Sequence, residues 1–89
     1  MDKQDIIAKI NEVLADEFEV EQHIITPEEN IKKTLQLDSL GIVDMVALIE
    51  VTFGISLKNS EIANIQTFSA LYNFVYKRIT WWQKLEEKL

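Results

Sequence analysis

The segment Asp38-Ser39-Leu40 holds the side chains best placed for chemistry. Ser39 stands where an apolar helical pattern begins, so its hydroxyl would lie at a helix N-terminus. There, unpaired backbone N–H groups and the helix dipole favour a bound or attached phosphate. Taken alone, Asp38-Ser39 also reads as an ordinary N-cap, for which both residue types are preferred. Other reactive groups are sparse. Cysteine is absent, which excludes a disulfide scaffold, a thiolate metal site and a thiol nucleophile. His23 is the single histidine, beside Gln22 and Ile24, and reads as a solvated loop residue rather than a metal ligand. Glu28-Glu29 and Glu86-Glu87 are adjacent pairs, which diverge on a helix and suit solvation rather than acid–base catalysis. No Gly-rich phosphate loop occurs. No catalytic residue and no metal site are expected.

The elements that must position Ser39 are helical. With 89 residues the chain suffices for one domain, 1–89, with one modest core. Two glycines and one proline argue against a turn-rich β-sandwich. Ile6, Ile7, Ile10, Val13, Leu14 and Phe18 recur at helical spacing and predict a first helix over about 2–18. A connection of about twenty residues follows, in which Thr26-Pro27 can open a single helical turn. A loop this long in so small a domain is usually functional. The second helix is expected over 39–53, closed by Gly54. A short third helix, 60–64, and a fourth, 68–85, complete the set. In the fourth, Phe68, Leu71, Val75, Ile79 and Trp82 share a face, and Trp81 lies off it. Phe53 to Leu57 alternates like a strand but has no partner strand. The fold class is therefore all-α.

Placed on a wheel, the second helix is apolar on two sides. Ile42, Met45, Val46, Ile49 and Phe53 should face the core. Leu40, Val43, Ala47 and Val51 fall opposite, with Asp44 among them and Glu50 at the edge. A small domain cannot bury a helix all round, so this strip either docks a partner or is covered by the long connection. In the docking reading Asp44 and Glu50 guide a basic partner.

The net charge of −6 is uneven: residues 1–57 carry 12 acidic and 4 basic side chains, residues 58–89 carry 3 and 5. Between Thr34 and Leu57 there is no Lys or Arg. An acidic chain is a poor candidate for nucleic acid or an anionic membrane and fits basic protein surfaces. No apolar run approaches the roughly 20 residues of a membrane span. The N-terminus lacks a signal-peptide pattern, so a soluble, cytoplasmic monomer is expected.

These residues resemble the acyl carrier proteins. The resemblance rests on Leu35-Gln36-Leu37-Asp38-Ser39-Leu40, on Val43-Asp44-Met45-Val46-Ala47-Leu48-Ile49-Glu50 and on Phe53-Gly54-Ile55. It extends through Thr26-Pro27, Glu61 to Ile65 and Thr67-Phe68 to most of the chain. It implies a four-helix bundle with a short third helix. It implies that a phosphopantetheinyl transferase moves 4′-phosphopantetheine from coenzyme A onto Ser39, flanked by Asp38 and Leu40. The stand-alone carrier would then hold acyl groups as thioesters for acyl-transferring or acyl-activating enzymes with basic docking surfaces, and would catalyse nothing itself. The missing cysteine fits, because the thiol comes from the cofactor. The resemblance makes the second helix the recognition helix, with Leu40, Val43, Asp44, Ala47, Glu50 and Val51 as its partner face. Met45, Val46, Ile49, Ile65 and Leu71 are the expected lining of an acyl pocket.

Departures from the family pattern narrow the reading. Gly41 stands where fatty-acid carriers usually have Asp, and Gln36 where they usually have Gly. Lys58-Asn59-Ser60 replaces their Pro-Asp-Glu, and only Glu50 remains of the paired acids late in the second helix. These changes imply a narrow set of partners in a specialised fatty-acid, polyketide or related pathway. Gly41 is also similar to the D-alanyl carriers, so an aminoacyl cargo stays open. A cofactor-free helical adaptor using the same strip is the alternative from another class.

Overall fold

The computed structural model describes the backbone of residues 2–88 and, of their side chains, all but those of residues 59, 82, 83 and 85–88. The expected core position of Trp82 therefore lies outside the described residues.

Helix α1, Lys3–Glu17, starts at Asp2, whose side chain accepts the Asp5 N–H at 2.9 Å. Ile6, Ile10 and Leu14, four residues apart, form a fully buried stripe. This stripe packs on helix α5, Phe68–Lys88, and on helix α3, Ser39–Phe53. The Tyr72 hydroxyl donates to Asn11 Oδ1, pinning α5 to α1. Phe68, Leu71, Tyr72 and Val75 bury the first half of α5, and Ile79 is half-buried.

The connection between α1 and α3 contains more structure than its sequence suggests. A single 3₁₀ turn, Gln22–Ile24, is followed by buried Ile25. Thr26-Pro27 opens a turn and not a helix, with Glu29 N–H donating to Thr26 O at 3.1 Å. The reason is tertiary: Pro27 O accepts the Ser69 N–H at 2.9 Å and Glu29 O accepts the Phe68 N–H at 3.3 Å. The real helix here is α2, Ile31–Leu35, capped by Asn30, whose Oδ1 accepts the Lys33 N–H at 2.9 Å. Ile31 and Leu35 are buried, and the Ile31 N–H donates to Gln66 O at 2.9 Å. Gln36 ends α2 in the left-handed region, at φ 54° and ψ 50°.

Helix α3 ends at Gly54, also left-handed at φ 66°. Ile55 and Leu57 then return into the core ahead of the short helix α4, Asn59–Ile62. The Arg78 guanidinium, stacked 5.1 Å over Phe74, donates to Ser56 O at 2.6 Å and pairs with Glu61. That clamp holds α4 and the segment before it against α5. The described residues form five α-helices and no strand; Asn30 and Thr67 make one isolated antiparallel bridge. The architecture is all-α, with α2 added to the four expected helices.

Candidate functional site

Asp38 is the N-cap of α3, and its Oδ1 accepts the Gly41 N–H at 2.8 Å. The cap leaves Ser39 as the first helical residue, exposed, and no described residue hydrogen-bonds its hydroxyl. The two roles that compete for this dipeptide in the sequence are thus divided: Asp38 caps and Ser39 is left accessible. Leu37 leans on the same turn. A Cβ on Gly41 would come within 2.9 Å of Leu37 Cδ2 and 3.4 Å of Asp38 Oδ1. A side chain at 41 would press on the tip of the half-buried Leu37, a flexible end that can shift.

Ser39 opens on a cleft of about 290 Å³. Ile42, Val43 and Met45 of α3 form one side, Ile62, Ala63 and Ile65 the second, and Ile31 and Lys32 of α2 the third. Of the five expected lining residues, Met45 and Ile65 line this cleft. Val46, Ile49 and Leu71 do not; they are buried in the core beyond it. Ile42, assigned to the core from the wheel, is half-buried and faces the cleft. The wheel gives direction but not depth, and Ile42 lies on the first turn of α3, beside Ser39 on the cleft. Ile31 and Lys32 could not be found without α2, whose only signals are the Asn30 cap and the Ile31/Leu35 spacing.

The expected partner face is exposed in large part. Leu40 is 75% exposed, Val43 54% and Val51 83%, with Asp44 and Ala47 also exposed among them. The long connection does not cover this strip. Glu50 differs. It is half-buried, and its Oε2 accepts the Leu57 N–H at 2.9 Å. Its carboxylate holds the chain after Gly54 and is not a free guide charge. Asp44 is left as the exposed acid within the strip.

The remaining features stand apart from Ser39. A more open depression of about 580 Å³ lies between α1 and the 3₁₀ turn, with Glu12, Asp16 and Glu17 on its rim and no residue of the Ser39 cleft. His23 Nδ1 lies 3.0 Å from Glu21 Oε2 at the surface. Among the described residues no His, Cys, Asp and Glu group could hold a metal ion, and no helix is long and apolar enough to cross a membrane. Trp81 is 54% exposed beside Lys58, Ser60, Glu61 and Arg78.

The site suits the phosphate-linked arm that the resemblance implies. An unengaged hydroxyl stands at the positive end of a 15-residue helix, where a phosphodiester meets N–H groups and a favourable dipole. The neighbouring carboxylate of Asp38 is turned onto its own cap. The apolar cleft alongside can shield a group at the end of the arm.

Comparison with known proteins agrees. The family model described as the phosphopantetheine attachment site matches residues 8–75. The chain is 31% identical over 80 residues to an acyl carrier protein of Rubrobacter xylanophilus, covering 90% of this chain and 99% of that one. It is 29% identical over 86 residues to the meromycolate extension acyl carrier protein of Mycobacterium leprae, covering 97% of this chain and 69% of that one. The acyl carrier protein of Enterococcus faecalis shares the fold, with a TM-score of 0.73 at 23% identity over 88% of this chain and 99% of that one. The chain belongs to the acyl carrier proteins, carriers rather than enzymes, which bear a covalently attached 4′-phosphopantetheine and serve phosphopantetheinyl transferases and acyl-handling enzymes.

Proposed function

We propose that Ser39 is the attachment residue and that residues 1–89 act as one carrier domain, a cytoplasmic monomer that presents acyl thioesters to a narrow set of partner enzymes in a specialised fatty-acid, polyketide or related pathway. The observation that carries this reading is the exposed, unengaged Ser39 hydroxyl on the first turn of α3, opening on an apolar cleft. Leu40, Val43, Asp44, Ala47 and Val51 form the partner face, and Glu50 supports it from behind. Ile31, Ile42, Met45, Ile62 and Ile65 receive the cargo.

The cleft favours an acyl over an aminoacyl cargo. Its lining is branched and apolar, and its one charged lining residue is Lys32. Loading the chain from coenzyme A with a promiscuous transferase, then charging it with acyl or D-alanyl groups, tests the reading by intact mass. An acyl adduct released by hydroxylamine supports it. A cofactor-free adaptor would gain no mass at all.

A further inference from the structure

We propose that Lys32 holds the phosphodiester of the prosthetic group, an assignment that rests on attachment at Ser39. Lys32 and Lys33 are the only cations between Lys9 and Lys58, a stretch rich in carboxylates. Among the described residues neither lysine is in an ion pair, although Lys9 and Arg78 each are. Of the two, Lys32 lines the cleft with Ser39 and Lys33 does not. Its place is fixed: α2 is capped by Asn30, anchored by buried Ile31 and Leu35, and tied to Gln66 through the Ile31 N–H.

The charges around Ser39 give Lys32 its role. A phosphodiester there adds a negative charge next to Asp38 and one helical turn or so from Asp44. The α3 dipole offsets part of that repulsion. The unpaired ammonium across the cleft offsets more, as a point charge on a flexible stem. A lysine–phosphate contact is charge-assisted, and near the surface it is screened by salt.

The test compares apo and holo forms of the full chain, without cargo, in four versions: unaltered, Lys32→Gln, Lys32→Arg and Lys33→Gln. Melting temperatures are read at about 10 mM and about 1 M salt. The expected result is a holo-minus-apo difference about 1–4 °C smaller in Lys32→Gln than in the unaltered chain or Lys33→Gln. Lys32→Arg restores it, and high salt abolishes it. A displaced ³¹P resonance of holo Lys32→Gln, absent in Lys33→Gln, is the second expected sign. An unchanged holo-minus-apo difference together with an unmoved ³¹P resonance overturns the proposal. So does an effect seen only in the rate of loading, which would place Lys32 against the transferase instead. Failure to gain mass at Ser39 is a separate result, and it would overturn the attachment reading itself.

Discussion

Glu50 Oε2 accepts the backbone N–H of Leu57, seven residues further on, at 2.9 Å. The bond ties the chain after Gly54 back to α3, where Ile55 and Leu57 enter the core ahead of α4. It also changes what the acidic residues of α3 do. Glu50 works within the chain, and Asp44 faces outward.

Glu50→Ala should therefore act on stability. The bond is half-buried and charge-assisted, and removing it leaves the Leu57 N–H without its partner. A loss of about 1 kcal/mol is expected, read as a lower urea midpoint with an unchanged slope. Glu50→Gln, which keeps an acceptor oxygen, should lose less. Equal loss for both variants would mean that the charge, and not the bond, matters.

The exposed strip of α3 should show the opposite pattern. Leu40, Val43 and Val51 are exposed, so alanine at each should change stability by no more than about 0.5 kcal/mol. If the strip docks a phosphopantetheinyl transferase, the triple variant should lower kcat/KM for loading about tenfold or more. Salt should matter little, because Asp44 is the exposed acid on the strip. A steep salt dependence with no effect of the three alanines would contradict the apolar docking surface.

Two of the three left-handed residues, Gln36 and Gly54, give paired expectations. Gln36 sits at φ 54°, where a side chain is strained, so Gln36→Gly should stabilise by about 0.5–1 kcal/mol. Gly54 sits at φ 66° with open space around its Cα, so Gly54→Ala should cost about 1 kcal/mol through backbone strain alone. Thermal unfolding of both variants checks the signs.

Tyr72 sets an alkaline limit. Burial pushes its phenol above the usual value, and the hydrogen bond to Asn11 pulls the other way without cancelling the rise. The folded protein thus keeps this proton to higher pH than the unfolded chain. The contribution is fully present below about pH 10 and is lost as pH rises through the folded value. Tyr72→Phe should flatten the fall in stability above about pH 10. It should also cost about 1 kcal/mol at neutral pH, where the Asn11 bond is lost. A variant whose stability curve parallels the unaltered chain through that range would exclude this role.

The long helices were legible because their buried stripes repeat at helical spacing. The two faces of α3 likewise follow from its wheel: Met45, Val46 and Ile49 are buried while Leu40, Val43 and Val51 are exposed. What the sequence hides is set by distant contacts. α2 has only five residues and two apolar anchors, and the more conspicuous Thr26-Pro27 is recruited into a turn by the first residues of α5. The Glu50–Leu57 bond has no periodic signature. On the core side of the α3 wheel, Ile42 and Met45 line the cleft while Val46 and Ile49 do not, a division that the wheel does not give. Gly41 reads as a departure in sequence; in the structure it lies against the tip of Leu37.

The proposed function requires that the prosthetic group be carried by one hydroxyl, that of Ser39, out of the four serines at 39, 56, 60 and 69. Loading the chain from coenzyme A with a promiscuous phosphopantetheinyl transferase and locating the added mass by fragmentation tests it most directly. The expected result is one phosphopantetheine per chain, on Ser39, and none on Ser39→Ala. Mass on Ser56, Ser60 or Ser69, or a gain that survives Ser39→Ala, would contradict it.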